Sequence, residues 1–342
     1  MSEAFRHVDR ERTIVFGAGA LGDAGELLGD GYTLLTTPRA VSSAPDLAKR
    51  AAAVVHVPAG LVDVVAADLR PGVTGDKLVA LGGGRVIDVA KALAAADGPR
   101  AVAAIPTSLS GAEMTGVHRH ARGIADSTPK VRPSLVVNDP ELSASQPVDQ
   151  LAASSANALG HAITALVSER STAIARAVAA EAITTLAAGW SDGEPDRSRV
   201  ALGALLAGWA VDHSGLGPHH ALAQTAVRVA SLQHAHANTA LLPFTLAAMR
   251  ARDPAAFERL DLALARPVEA FAVELGRRAD VAGLGELGAD AELLNRTVAA
   301  AVKRAELARV TPALEHDEVL AIYRRAAGAS DRRLQDPQQL AD

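Results

Sequence analysis

The stretch Leu78–Ala96, LVALGGGRVIDVAKALAAA, constrains the fold of this chain more than any other. Leu78–Leu81 are apolar, three glycines follow, and apolar residues then recur at helical spacing, which predicts a buried strand, a tight turn and a helix. Glycines let a ligand approach the main chain, and a helix N-terminus favours an anion. The stretch therefore indicates a phosphate site at Gly82, Gly83 and Gly84, or else a plain strand-to-helix connection. It matches neither the GxGxxG nor the Walker pattern, so no standard fingerprint is predicted.

Strand and helix signals alternate along residues 1–148. This alternation predicts an α/β domain with a doubly wound, mainly parallel sheet that binds ligands at the carboxyl ends of its strands. Helices are expected at Leu21–Leu28, Pro45–Ala53 and Leu61–Leu69. Strands are expected at Thr13–Phe16, Tyr32–Thr36, Ala53–Val57, Ala101–Ile105 and in the run that ends at Leu81.

Strand signals almost vanish after Gln150. From there Ala, Leu, Val and Arg recur at helical spacing as far as Ala327, with breaks at residues 191–196, 215–218 and 283–288. We therefore expect an all-helical domain over residues 149–330 and a frayed tail over residues 331–342.

Composition excludes several functional classes. The chain of 342 residues has no cysteine, so a metal would have to be held by His, Asp, Glu or Asn. A net charge of -5 without a basic run, and 3% aromatic residues, argue against nucleic acid as a partner. No apolar run is long enough for a membrane span and the first residues lack a signal-peptide core, so we expect a cytoplasmic protein.

Polar side chains follow two predicted strands at what should be the same edge of the sheet. Thr36, Thr37 and Arg39 follow one strand, and the loop PTSLSGAEMT, which holds Thr107, Ser108 and Ser110, follows another. Their hydroxyls suit a ribose, a pyrophosphate or a nicotinamide amide, although ordinary polar turns share this composition. In nucleotide-binding α/β domains an acidic residue after the second strand usually binds the ribose, and an arginine nearby favours a 2′-phosphate. Here that position holds Thr36, Thr37 and Arg39, so the choice between NAD and NADP stays open.

Residues 117–137 are predicted to form a hairpin beside that edge. Basic side chains precede its apolar run, namely His118, Arg119, His120, Arg122, Lys130 and Arg132. They suit an anionic ligand, or alternatively a solvated hairpin.

Histidines recur on the predicted helices of the second domain. Asn157 and His161 are four residues apart and share a helix face, as do His220 and Gln224. His234 and His236 lie in QHAHANTALLP. Three imidazoles and an amide could converge on zinc or iron(II), or each histidine could be an ordinary core or boundary residue.

The order of these motifs resembles the iron-containing alcohol dehydrogenase superfamily and, within it, the maleylacetate reductases. The resemblance covers roughly residues 12–330 and is carried by IVFGAGAL, LLTTP, GGGRVIDVAKALA, IPTSLSGAEMT, DPEL, NALGHAITAL, GLGPHHALAQ and HAHANTALLP. It implies an α/β nucleotide domain, a helical domain with the active site in the cleft between them, and a homodimer. It also implies hydride transfer from NAD(P)H to a carbonyl or, in maleylacetate reductases of aromatic-compound catabolism, to a conjugated double bond of a dicarboxylate.

The resemblance assigns roles to individual residues. It implies that the three glycines hold the pyrophosphate, that the hydroxyl loop holds the nicotinamide half, and that Lys130 lies near the ribose. The implied cofactor set is Gly82, Gly83, Gly84, Arg85, Asp88, Thr107, Ser108, Ser110, Lys130, Thr36 and Thr37. The implied catalytic set is His161, His220, His234, Gln224 and Lys130. The implied metal ligands are Asn157, His161, His220 and His234, for a zinc or iron(II) ion that is weakly held or absent.

The chain departs from the family pattern at several of these positions. Asn157 replaces the metal-binding aspartate, as in maleylacetate reductases, and Gln224 replaces a second histidine, so a general acid would have to come from elsewhere. Arg85 replaces a serine, and TAVRVA brings Arg228 near the implied pocket.

Three interpretations follow. The leading one is a maleylacetate-reductase-like enzyme that acts on a small anionic unsaturated keto acid, with Arg119, Arg132 or Arg228 on its carboxylates. The second is a metal-dependent alcohol or aldehyde reductase. The third is a homologue with a non-redox or ligand-binding role.

Overall fold

The computed structural model describes residues 4–144, 146–190, 193–285 and 290–328. The chain forms two compact units. Unit 1 comprises Met1–Gln146 and Asp196–Gly208, and unit 2 comprises Pro147–Pro195 and Trp209–Asp342. The domain boundary predicted after residue 148 stays a prediction, and the predicted tail at 331–342 lies outside the described residues, as do parts of the predicted breaks at 191–196 and 283–288.

Unit 1 contains a seven-stranded sheet. In chain order its strands are β1 Phe5–Asp9, β2 Arg12–Phe16, β3 Thr33–Thr36, β4 Ala53–His56, β5 Lys77–Gly82, β6 Ala101–Pro106 and β7 Leu135–Asn138. Their order in the sheet is β1-β2-β7-β6-β5-β3-β4, with β1 antiparallel and the others parallel. The predicted parallel-rich α/β architecture is confirmed.

Strand β5 lies at the centre of the packing because both its faces are covered. Leu78 and Ala80 pack into the core on one face of the sheet, and Val79 and Leu81 pack into the core on the other. All four side chains are fully buried. Successive residues of a strand point to opposite faces, so a continuous apolar run is what a strand covered on both sides requires.

Among the residues that the structure describes, six α-helices of unit 1 lie between strands of this sheet. They are α1 Ala20–Asp23, α2 Gly25–Leu28, α3 Pro38–Ser43, α4 Pro45–Arg50, α5 Val62–Leu69 and α6 Gly84–Ala96. The single helix predicted at Leu21–Leu28 is wrong, since Ala24 ends one short helix and precedes another. Helix α3 was not predicted; Thr37 caps it by accepting a hydrogen bond from the Ala40 amide at 3.2 Å.

The hairpin predicted at residues 117–137 is also wrong. The structure forms no strand from residue 117 to residue 134, and β7 pairs in parallel with β2 and β6. Lys91 explains the irregular path that leads into this segment, because its buried ammonium donates to the carbonyls of Ala112, Thr115 and Val117 at 2.9 to 3.0 Å. The ammonium satisfies these three buried carbonyls, so they do not need a neighbouring strand as their partner.

Unit 2 is helical throughout the part of it that the structure describes, as the periodicity predicted. Its helices are α7 Val148–Val167, α8 Ala173–Ala188, the end of α9 Arg197–Ser214, α10 Pro218–Ala230, α11 His234–Arg250, α12 Pro254–Leu264, α13 Val268–Arg278, α14 Ala291–Ala301 and α15 His316–Ala327. The first part of α9 belongs to unit 1. None of the helices in the described ranges combines the length and the apolarity that a membrane crossing demands.

Candidate active site

The glycine turn and the hydroxyl loop lie side by side at the carboxyl edge of the sheet in unit 1. Gly82 and Pro106 are register partners on β5 and β6, and the Thr107 amide donates to the Gly82 carbonyl at 3.1 Å. Helix α6 begins at Gly84, so its first amides have no partner within the helix. This edge therefore combines main-chain donors with the Ser108 and Ser110 hydroxyls.

The glycines are required by close packing. A Cβ on Gly84 would lie 2.9 Å from the Cβ of Ser110, and a Cβ on Gly83 would lie 3.1 Å from the Oγ of Ser108. A Cβ on Gly82 would lie 2.7 Å from a methyl group of Val86. Any side chain here would displace the hydroxyl loop or the first turn of the helix.

The charged residues predicted for the cofactor are mostly engaged within unit 1. Asp88 forms an ion pair with Lys91 at 2.8 Å, and Lys130 donates to the His118 carbonyl. Burial raises the pKa of Asp88 and lowers that of Lys130. Arg85 is exposed on the first turn of α6, as are Arg119 and Arg132 on the segment from 117 to 134.

Thr36 ends strand β3 at the same edge, and Thr37 follows it. Thr36 is fully buried and Thr37 caps helix α3. Their hydroxyls therefore serve the protein's own fold in this structure, and the ribose contact predicted for them stays a prediction.

Glu113 is a residue that sequence reasoning missed. It is 1% exposed, its Oε2 has no hydrogen-bond partner within the described chain, and burial raises its pKa to about 7. It lines a small cavity of unit 1 with Pro106, Ser108, Leu109, Asn138, Asp139, Ser143, Ala201 and Ala204. An acidic residue inside the predicted nicotinamide loop was visible in the sequence, but its burial was not.

Unit 2 brings several of the predicted histidines together. The rings of His161 on α7 and His220 on α10 stack with centroids 4.2 Å apart, and Nε2 of His220 lies 3.2 Å from Oδ1 of Asn157. His219 contacts His220 edge-on, with centroids 5.0 Å apart. We call His161, His219, His220 and Asn157 the histidine cluster.

His219 was not among the predicted site residues. Its Nδ1 lies 2.9 Å from the hydroxyl of Thr245. Gly160 makes room for it, because a Cβ at that position would lie 2.5 Å from Cδ2 of His219 and 3.3 Å from Cε1 of His220. The glycine one residue before His161 was the available signal.

The histidines of the cluster are neutral at neutral pH. Burial lowers the pKa of His161 and of His219 to about 3, and lowers that of His220 well below its ordinary value. Nδ1 of His161, Nε2 of His219 and Nδ1 of His220 are buried without a hydrogen-bond partner in the described chain. The cluster therefore offers hydrogen-bonding capacity without charge.

His234, on the first turn of α11, has an exposed surface, yet burial lowers its pKa, and its imidazole is close enough to the histidine cluster to lower the pKa of His161, His219 and His220 as well. His236 contacts the Gly283 carbonyl. Arg228 is exposed. Gln224 lies one turn after His220 on α10, and its Oε1 accepts a hydrogen bond from Arg304 at 3.1 Å.

The residues predicted to bind a metal do not fit one as they lie. No group of three or more His, Asp or Glu side chains that could hold a metal ion occurs within the described ranges. The rings of His161 and His220 are 13° from parallel, so their in-plane lone pairs cannot converge on one ion. The metal site stays a prediction.

Known proteins resemble the chain over most of its length. The profile of the Fe-containing alcohol dehydrogenase family, C-terminal, matches residues 151–327. A maleylacetate reductase of Sphingobium indicum is 32% identical over 80% of this chain and 84% of its own length, and maleylacetate reductase 1 of Rhodococcus opacus is 36% identical over 57% and 56%. The crystal structure of maleylacetate reductase from Agrobacterium tumefaciens aligns with a TM-score of 0.80 at 25% identity, over 96% of this chain and 99% of that one.

Proposed function

We propose an unsaturated keto dicarboxylate of the maleylacetate class as the substrate of this chain, which belongs to the Fe-containing alcohol dehydrogenase family and is an NAD(P)H-dependent oxidoreductase. The observation that carries the proposal is the uncharged histidine cluster with Asn157, in a chain whose relatives are maleylacetate reductases. A neutral set of donors suits a reaction in which negative charge develops on a substrate oxygen.

Unit 1 supports the cofactor half of this proposal. The first amides of α6 and the neighbouring hydroxyls of Ser108 and Ser110 suit the pyrophosphate and nicotinamide portions of NADH or NADPH. The cofactor supplies the hydride when it is bound, and the protein's part is to hold and orient it. The preference for NADH or NADPH stays open.

In the proposed reaction, unit 2 stabilises negative charge on the substrate and does not supply the proton. Hydride adds to the β-carbon of the conjugated double bond, the π electrons move to the keto oxygen, and the enolate then takes up a proton at the α-carbon. Imidazole and amide N–H groups stabilise the enolate oxygen by hydrogen bonds. Neutral histidines with pKa values near 3 have no ionisable proton to give at pH 7, so the proton comes from another source.

The proposal is tested by following the nicotinamide absorbance. The purified protein is titrated with NADH and NADPH by fluorescence, and maleylacetate is then added. We expect one nucleotide to bind and its absorbance to fall in proportion to the substrate consumed. Binding without absorbance loss on maleylacetate, but with loss on a simple aldehyde, would refute the substrate class while leaving the oxidoreductase in place.

The remaining predictions have direct checks. Stoichiometric iron or zinc in the purified protein, together with turnover that a chelator abolishes, would favour the metal-dependent alternative. The homodimer is checked by light scattering and the cytoplasmic location by cell fractionation.

A further inference from the structure

Gln224 lies where the histidine cluster continues along helix α10. It follows His220 by four residues, so the two side chains share a helix face. Gln224 is only partly buried, whereas His220 is 2% exposed. The carboxamide therefore stands at the more accessible end of this face.

The contact with Arg304 determines which end of the carboxamide is available. Nη2 of Arg304 lies 3.1 Å from Oε1 of Gln224. A guanidinium can only donate, so the atom that faces it must be the carbonyl oxygen of the amide. The two N–H donors on Nε2 are consequently directed away from Arg304.

Arg304 is itself held in place. Its Nε and Nη2 donate to the two carboxylate oxygens of Glu306 at 3.1 and 2.7 Å, a bidentate pair in which each side chain is about one-fifth exposed. A planar guanidinium that donates two hydrogen bonds to one carboxylate has little rotational freedom. Gln224 therefore receives its hydrogen bond from a fixed donor.

We propose that Arg304 is a positioning residue that locks the carboxamide of Gln224 so that its N–H groups are presented to the substrate oxygen on which charge develops. The inference rests on the proposed function and deepens it. Gln224 then acts as an uncharged hydrogen-bond donor to the enolate, a role that needs orientation and no proton exchange. Arg304 acts only through Gln224.

Turnover of variants tests the role of the amide. Gln224→Glu keeps the shape and the contact with Arg304 but replaces the N–H donors by oxygen, so kcat should fall about 100-fold or more while the affinity for the nicotinamide nucleotide stays unchanged. Arg304→Met should lower kcat about 10-fold, and Arg296→Met, at an exposed arginine on α14, is the matched control. The effect of Arg304→Met should vanish when Gln224 is already Met, because the arginine then has nothing to orient. Equal effects of Arg304→Met in both backgrounds, or normal kcat in Gln224→Glu, would overturn the proposal.

A spectroscopic arm separates this inference from the substrate assignment. In protein labelled with 15N-glutamine, the side-chain amide signal of Gln224 is the one that Gln224→Glu removes. We expect that signal to shift in Arg304→Met and to stay in place in Arg296→Met. An unmoved signal in Arg304→Met refutes the positioning role, whereas a moved signal in a protein that leaves maleylacetate unreduced refutes the proposed substrate alone.

Discussion

Replacing Glu113 by glutamine should change how the stability of the protein depends on pH. The wild-type carboxyl is buried at 1% exposure, and burial raises its pKa from 4.5 to about 7. A shift of that size corresponds to about 3 kcal/mol of preference for the protonated form in the folded state. Glutamine has nearly the same shape and stays neutral, so it removes this preference.

The sign of the effect follows from linkage. An acid with a raised pKa in the folded state contributes stability below its unfolded pKa, and that contribution is lost as the pH rises through the folded value. The wild type should therefore lose about 3 kcal/mol relative to Glu113→Gln between pH 4.5 and pH 7, most of it above pH 5. Above pH 8 the difference should be constant, with the glutamine variant the more stable protein.

Urea unfolding followed by circular dichroism measures this difference. Free energies of unfolding are determined for both proteins from pH 5 to pH 8.5, and the difference between them cancels the groups that they share. Glu26→Gln, at an exposed carboxyl of the same unit, is the control for loss of a charge and should show no such trend. A wild-type to Glu113→Gln difference that stays flat across this range would refute the assignment of a buried, protonated carboxyl.

Three further outcomes are expected. Gly160→Ala should displace the ring of His219, destabilise the protein by about 1 to 3 kcal/mol and lower kcat at least 10-fold. Gly276→Ala, at a helical glycine whose added Cβ would make only an ordinary contact at 3.8 Å, should change neither stability nor kcat. Melting curves and turnover measurements test both variants. Lys91→Met should cost about 3 to 5 kcal/mol in urea unfolding, because it leaves three carbonyls and an aspartate without their cation, and a loss below 1 kcal/mol would contradict that. Because burial lowers the pKa of His161 and His219 to about 3, the free energy of unfolding should fall as the pH drops below 6.5. At pH 5, unfolding of a His161→Gln variant should take up fewer protons than unfolding of the wild type. Equal proton uptake by the two proteins, measured by titration, would exclude this.

The sequence predicts the parts of the fold that follow from local periodicity. The apolar run Leu78–Leu81 is a strand buried on both faces, and the long helical pattern after residue 150 forms helices. The irregular path from Ala112 to Val117 could not be predicted, because three carbonyls along it bind the buried ammonium of Lys91. No local pattern distinguishes a lysine that binds carbonyls from one that faces water.

Part of the candidate site was likewise predictable from the sequence, and part was not. Parallel strands bring their carboxyl ends to one edge, so the proximity of the glycine turn to Ser108 and Ser110 was predictable. Gln224 and Arg304 are 80 positions apart in the chain, so no local sequence pattern could predict their contact. Sequence patterns thus locate groups on one element or one sheet edge, while the partners that orient them depend on packing.

The neutral histidine cluster limits which step of a reduction unit 2 can serve. A group helps to move a proton when its pKa lies near the working pH, and the pKa values of about 3 for His161 and His219 lie far below it. Hydrogen-bond donation has no such requirement, because an uncharged N–H group stabilises an oxyanion at any pH at which it stays uncharged. The amide of Gln224, with its oxygen already bound to Arg304, meets the same condition. In the proposed reaction, the groups that stabilise the enolate are therefore different from the group that delivers the proton.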